Sequence, residues 1–210
     1  LNQLLEPDYN ICRSPKSYNS QIGVPLSVWQ LDKHHELGIF EAGISKPNEM
    51  DILQKIISPA IGILTNIGAP HDEGFKDREQ KLLEKIKFFK EAKTLICCLD
   101  DRSIEKAVKQ QSIKTFSWGR SDACNVKIVS LESQSGIIYI TLTHQHETIR
   151  FQLFFSDNAS IENALHCFCA CKLLGLKNEV IVERMQKLRP VEMRLEWKKA
   201  INNCYLIKTN

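Results

Sequence analysis

The chain has 210 residues, 43% of them hydrophobic, and 28 Lys and Arg against 25 Asp and Glu give a formal net charge of +3. That length fits one good-sized domain, or one with a small appendage, and the apolar content suffices for a sizeable core. So slight a charge gives no argument for nucleic acid or an anionic membrane as partner, and no apolar run reaches the roughly 18 residues that a membrane helix needs.

The chain opens on "LNQLLEP", a helix-like stretch that starts at Leu1 rather than at methionine, so a fragment of something longer is expected. Short apolar runs then alternate with helical patterns. "YNICRS" (9–14), "LGIFEAG" (37–43), "AIGILTNIG" (60–68) and "TLICCLDD" (94–101) read as buried strands. The middle two lack in/out alternation, as in a parallel sheet covered on both faces. Between them, residues 46–57 and 77–92 show helical spacing, with Pro47 suited to a first helical turn. A further helix is expected over 102–111, before "KTFSWG".

The pattern changes after that. "CNVKIVSLE", "GIIYITLTH" and "TIRFQLFF" are β-rich runs joined by short polar links, and they predict an antiparallel meander forming a small second sheet over about 124–155. Helices follow from about Asn158 to Leu174, ended by Gly175, and from about Asn178 to Leu188, stopped by Pro190. The predicted fold class is α/β, a doubly wound, mostly parallel sheet with a small antiparallel β meander.

Eight cysteines do not form a disulfide framework on this pattern. Cys97 and Cys98 are adjacent in an apolar run. Cys167 and Cys171 share a helix face from which Cys169 points away, so the three do not converge on a metal, and His166 does not complete a set. Buried free thiols in a reducing, cytoplasmic setting are expected. Ligands of doubly wound sheets bind outside the carboxyl ends of the strands. Two such ends carry chemistry here: Glu41 followed by Gly43, and Asn66 followed by His71. Either acid or histidine alone reads as a cap or a surface residue; together they mark one rim of the sheet.

The segments "NSQIGVPLSVWQL", "LGIFEAGISKPNEM" and "ILTNIGAPHDEGF" resemble, in order and spacing, the central ATP-binding domain of the Mur ligase family. The resemblance is strongest to the D-alanyl-D-alanine-adding branch, in the form fused to an alanine racemase, and runs from about Tyr9 to Cys204. It implies an ATP-dependent, amide-forming ligase of peptidoglycan synthesis, with ATP and Mg2+ as cofactors. UDP-N-acetylmuramoyl-tripeptide and D-alanyl-D-alanine are the implied substrates, with neither nucleic acid nor membrane as partner. In that family a substrate carboxylate takes the γ-phosphoryl group, and an amine then displaces phosphate from the acyl phosphate. Such chemistry needs negative charge gathered and neutralised in transit.

By the same resemblance, Glu41 ligates a magnesium between the β- and γ-phosphates and His71 helps to hold a second one. Lys85 matches a lysine that is carbamylated, which requires a neutral amine and hence a lowered pKa; from composition alone it reads as one more lysine on a solvated helix face. Asn163 matches an adenine-contacting asparagine, Asn66 belongs to the nucleotide-binding rim, and Arg194 matches an arginine that approaches the phosphates, a surface ion pair with Glu192 or Glu196 being the alternative. Asn19 and Ser20 fall in the segment facing the nucleotide-sugar peptide, whereas Gly23 and Pro25 there read as structural. Asp72 and Glu73 read as solvated loop carboxylates.

The sequence also departs from the family pattern. Ala159 and Ser160 replace a His-Asn pair, no G-x-x-x-x-G-K-S/T phosphate loop occurs, and Thr209 stands where an aspartate is expected. Residues 1–200 are thus expected to be a central domain incomplete at its amino end, with 201–210 beginning a link to a further domain. Such a piece is expected to be inactive alone, with unpaired strands at its sheet centre and a tendency to self-associate. A non-catalytic remnant of the fold, or a folylpolyglutamate synthase-like ligase, are the competing expectations.

Overall fold

The structure, a computed structural model, describes residues 1–68 and 74–189, together with the backbone of strands 195–199 and 205–209. The elements run α1 (Asn2–Leu5), β1 (Ile11–Arg13), α2 (Gly23–Val28), β2 (Leu37–Ile39), α3 (Glu49–Ile57), β3 (Ile61–Ile63), α4 (Arg78–Lys87), β4 (Thr94–Cys98), α5 (Arg102–Gln110) and β5 (Thr115–Gly119). Then come β6 (Val126–Gln134), β7 (Ile137–His144), β8 (Glu147–Leu153), α6 (Asn158–Leu173), α7 (Asn178–Gln186), β9 (Leu195–Lys199) and β10 (Tyr205–Thr209).

Local chemistry sets the helix ends. Asp77, Asp101 and Asp157 each precede a helix and accept hydrogen bonds from its first free N–H groups: Gln80, then Ser103 and Ile104, then Ser160. Such caps satisfy donors that have no partner within the helix. After α6, Gly175 takes φ +83°, the left-handed conformation that ends a helix without strain.

Strand β4 shows why the fold is doubly wound. Leu95 and Cys97 pack into one cluster with Met50, Leu53, Leu82 and Ile104 from α3, α4 and α5. Ile96 points the other way, into a cluster with Leu4, Leu5, Phe168 and Met185 from α1, α6 and α7. A strand buried on both faces needs an apolar residue at every position, hence the continuous run read in the sequence.

Strands β3, β4 and β5 pair in parallel, and β6, β7 and β8 form the expected antiparallel meander. Its two tight turns hold Ser135–Gly136 and Gln145–His146, all at positive φ, which suits the right-handed twist of the flanking strands. The meander is not a second sheet, however. Strand β6 pairs in parallel with β5 at Trp118↔Val126 and Gly119↔Lys127, giving one six-stranded sheet in the order β3-β4-β5-β6-β7-β8. Among the described residues, β1 and β2 form a separate parallel pair, and β9 pairs antiparallel with β10.

One local expectation is corrected. Pro47 is not in the first turn of α3: Asn48 sits at φ +71° and the helix begins at Glu49. The Glu49 carboxylate accepts from the N–H groups of Ser45 (2.7 Å) and Lys46 (3.0 Å), fixing a turn ahead of the helix. Helix α2 lies in a segment for which no element was expected, where Gly23 and Pro25 read as structural. It forms because Gly23 lets the chain pass close to Tyr18, whose Cα would lie 2.9 Å from any Cβ at that position.

Candidate functional site

The carboxyl ends of β2 and β3 carry the residues of interest. Glu41 lies two residues beyond β2, and its N–H donates to Ser14 Oγ at 3.1 Å. The loop after β1 returns across this end, so that Asn19 Nδ2 donates to Glu41 Oε1 at 2.7 Å and the Gly43 N–H donates to the Asn19 carbonyl at 2.7 Å. The carboxylate is thereby aimed and held, while staying solvent-exposed on its remaining side. Ser20 instead supports the start of α2, where its Oγ accepts the N–H of Gly23 at 3.1 Å.

Across the rim, Lys85 on α4 donates from Nζ to the Asn66 carbonyl at 3.1 Å. Burial of this half-buried amine lowers its pKa, the charge of Lys81 one turn earlier lowers it further, and Glu41 opposes both. Lys81 itself is buried, as is Glu84 between the two lysines. Glu84 accepts from the Asn48 N–H at 2.9 Å and from Lys87 Nζ. The Lys85 amine thus faces the strand ends, held there by the β3 loop.

Asn19, Glu41, Asn66 and Lys85 are gathered at one place. Asn163 is not part of that group; it lies exposed near the start of α6. His71 and Arg194 lie outside the described residues. Among the described residues, no three His, Cys, Asp or Glu side chains converge as a metal set. The oxygen donors at Glu41 nonetheless suit a hard cation such as Mg2+, which keeps several waters and needs one or two carboxylates. The described cysteines are free thiols, and burial raises Cys97 to about 12 and Cys98 to about 11, so neither is a thiolate at neutral pH.

One buried polar residue has a part that spacing does not reveal. His166 on α6 is 2% exposed and accepts from Trp118 Nε1 at 3.0 Å through its Nδ1. That bond leaves the proton on Nε2, which points toward the Thr65 backbone without a hydrogen bond of ordinary geometry. Burial depresses its pKa to about 4. The sequence signal for it is faint, since its partner lies 48 residues away.

Helices on both faces of a parallel sheet, with polar groups converging at the carboxyl ends, define an α/β domain of the class whose ligands bind at that rim. The family model for the Mur ligase middle domain matches residues 2–171, and the chain belongs to that family. The Bacillus subtilis UDP-N-acetylmuramoyl-tripeptide--D-alanyl-D-alanine ligase is 27% identical over 199 residues, which cover 93% of this chain and 42% of that protein. The chain therefore spans less than half the length of the curated relatives it matches. Among solved structures, MurF from Acinetobacter baumannii superposes with a TM-score of 0.81 at 20% identity, covering 95% of this chain and 44% of that one. MurF ligase from Thermotoga maritima, solved in complex with ADP, gives 0.80 at 21%, covering 95% and 47%. At such identities the structural likeness bears on the fold.

Proposed function

We propose that the chain is the central, nucleotide-handling domain of an ATP-dependent ligase that joins D-alanyl-D-alanine to UDP-N-acetylmuramoyl-tripeptide in peptidoglycan synthesis. The observation that carries this reading is the group at the rim: a carboxylate aimed by Asn19 opposite a half-buried lysine of lowered pKa. Glu41 is assigned as ligand of one Mg2+ and His71 as helping to hold a second ion, with Asn66 and Asn163 toward the nucleotide. Arg194 is assigned to the phosphates, and Asn19 and Ser20 to the side facing the peptide substrate. When bound, Mg2+ would supply charge neutralisation at the transferring phosphoryl group.

The Asn19 amide holds the Glu41 carboxylate in one orientation, so little ordering remains when a cation arrives. The lowered pKa of Lys85 favours the neutral amine that carbamylation demands. Its neutral amine would add to CO2, forming the N–C bond and releasing a proton, and a cation would become an anion facing the same rim. The Asn66 carbonyl fixes where that amine sits.

The 210 residues alone are assigned no turnover, because the sequence holds no G-x-x-x-x-G-K-S/T cradle for the phosphates. Residues 1–200 are assigned to the domain and 201–210 to the start of a link. With ATP, Mg2+ and both substrates, phosphate release is expected to equal that of Glu41→Ala. In saturation-transfer NMR, UDP-N-acetylmuramoyl-tripeptide should give signals where a folate gives none. The reverse pattern assigns the chain to the folylpolyglutamate branch, and release above the Glu41→Ala background contradicts inactivity.

A further inference from the structure

Strand β3 stops pairing before the rim. Its register with β4 ends at Ile63↔Ile96, and the Leu64 N–H, donating to the Ile96 carbonyl at 2.9 Å, adds one bond more. Thr65 and Asn66 follow, both exposed. Side chains from opposite helix layers meet this short segment. From α4, Lys85 Nζ donates to the Asn66 carbonyl at 3.1 Å. From α6, the ring of His166 approaches the Thr65 backbone.

The His166 ring is fixed at its other edge. Trp118 Nε1 donates to Nδ1 at 3.0 Å, so Nε2 carries the proton. Both side chains are buried, Trp118 at 3% and His166 at 2% exposure. Nε2 is closed off from solvent and has no hydrogen bond of ordinary geometry. The Thr65 contact favours the charged ring, as an acceptor does, so the group that Nε2 faces is the Thr65 carbonyl. A buried donor left without an acceptor is costly, and a small movement of either group closes this one.

The sheet explains why two rings stand in line. Trp118 lies near the carboxyl end of β5, and β4 separates β5 from β3. At the spacing of neighbouring strands β3 and β5 are about 10 Å apart, too far for a backbone hydrogen bond. An indole and an imidazole together span such a gap. We propose that His166 is a positioning residue of the rim: it carries the fixed direction of Trp118 on β5 to the Thr65 carbonyl, and so holds Thr65–Asn66 against Lys85 from the α6 side. His166 also stands three residues, about one turn, beyond Asn163 on α6, so the same ring sets the helix bearing Asn163 against the strand end bearing Asn66. This deepens the nucleotide-side assignment of the two asparagines and takes its functional meaning from it. The coupling of His166 to Lys85 is a property of the empty rim. An apolar ring would fill the same space, so packing alone gives no preference for a nitrogen at either edge.

The test uses the 210-residue chain with neither nucleotide nor metal. His166→Gln carries an amide N–H out to about where Nε2 stands and gives up the Trp118 bond. His166→Asn keeps an acceptor near Nδ1 and falls short of Thr65. Each loses one hydrogen bond, so guanidinium unfolding should show similar losses of stability. An NMR titration of Lys85, followed at its ε-carbon, separates the two. Burial is the largest cause of its lowered pKa, and freeing Thr65–Asn66 admits water to the amine. At about pH 8 the neutral fraction of Lys85 should fall about fivefold in His166→Asn, the most that one net hydrogen bond transmits, and stay near wild type in His166→Gln. The wild type gives an independent reading: the His166 Nε2 proton should exchange slowly with water and show a nuclear Overhauser contact to the Asn66 α-proton. A Lys85 titration equal in wild type and His166→Asn, equal shifts in the two variants, or an Nε2 proton that lacks this contact overturns the proposal. If Lys85 responds as expected while ADP fails to bind, the positioning role stands and the ligase function falls.

Discussion

His166 should make the stability of this domain depend on pH in a way that one substitution removes. Its folded pKa is about 4, against 6.5 for an ordinary histidine, because burial disfavours the charged ring. Between those values the unfolded chain binds a proton that the folded protein does not. Stability therefore rises with pH across this window and is lost as pH falls from 6.5 toward 4. At 1.36 kcal/mol for each tenfold difference in proton affinity, the whole effect is worth about 3 kcal/mol, a large fraction of the stability of a typical domain. His166→Phe keeps a ring against Trp118, whose present contact is edge-on at 5.1 Å. It also strands the indole N–H, at a cost of about 1–3 kcal/mol at every pH. Guanidinium unfolding of both proteins from pH 4.5 to 7.5 reads the difference, since the titrating carboxylates are common to both. The wild type is expected to lose about 2–3 kcal/mol more than the variant over that range. Parallel pH profiles would refute the assignment of a buried, neutral imidazole.

Other outcomes follow from the rim and its supports. With carbon-13 bicarbonate, NMR should show a carbamate signal in the wild type that fades on acidification and is missing in Lys85→Arg, as the lowered pKa of Lys85 requires; a signal that survives the substitution places the carbamate elsewhere. Gly23→Ala sets a Cβ 2.9 Å from the Cα of Tyr18, a backbone atom that cannot swing aside. It should lower stability by about 1–3 kcal/mol, and an unchanged thermal midpoint would show that α2 shifts freely.

Much of this fold is legible because burial on two faces writes itself into the sequence. The run at 95–98 is apolar at consecutive positions since Leu95 and Cys97 serve one helix layer and Ile96 the other. Alternation in β7 likewise marks a strand with one face turned outward. The joining of the meander to the parallel sheet is not legible, because it rests on two residue pairs between β5 and β6 with no local pattern. Helix α2 is hidden by a glycine and a proline whose signals point to loops. At the site, Glu41 and Asn66 can be placed at strand ends from pattern alone. The Asn19–Glu41 hydrogen bond and the burial around Lys85 arise from loops and helices folding back across the rim, which spacing does not encode.

The most direct measurement is the binding of Mn2+ and ADP to the chain, followed by electron paramagnetic resonance of the metal. If the rim is a metal–nucleotide site, ADP should increase Mn2+ binding, and Glu41→Gln should weaken the ternary complex by about tenfold or more while leaving the fold intact. Mn2+ binding that ignores ADP, or that is equal in wild type and Glu41→Gln, would contradict a metal–nucleotide site at the rim and favour a fold that has kept its shape without its chemistry.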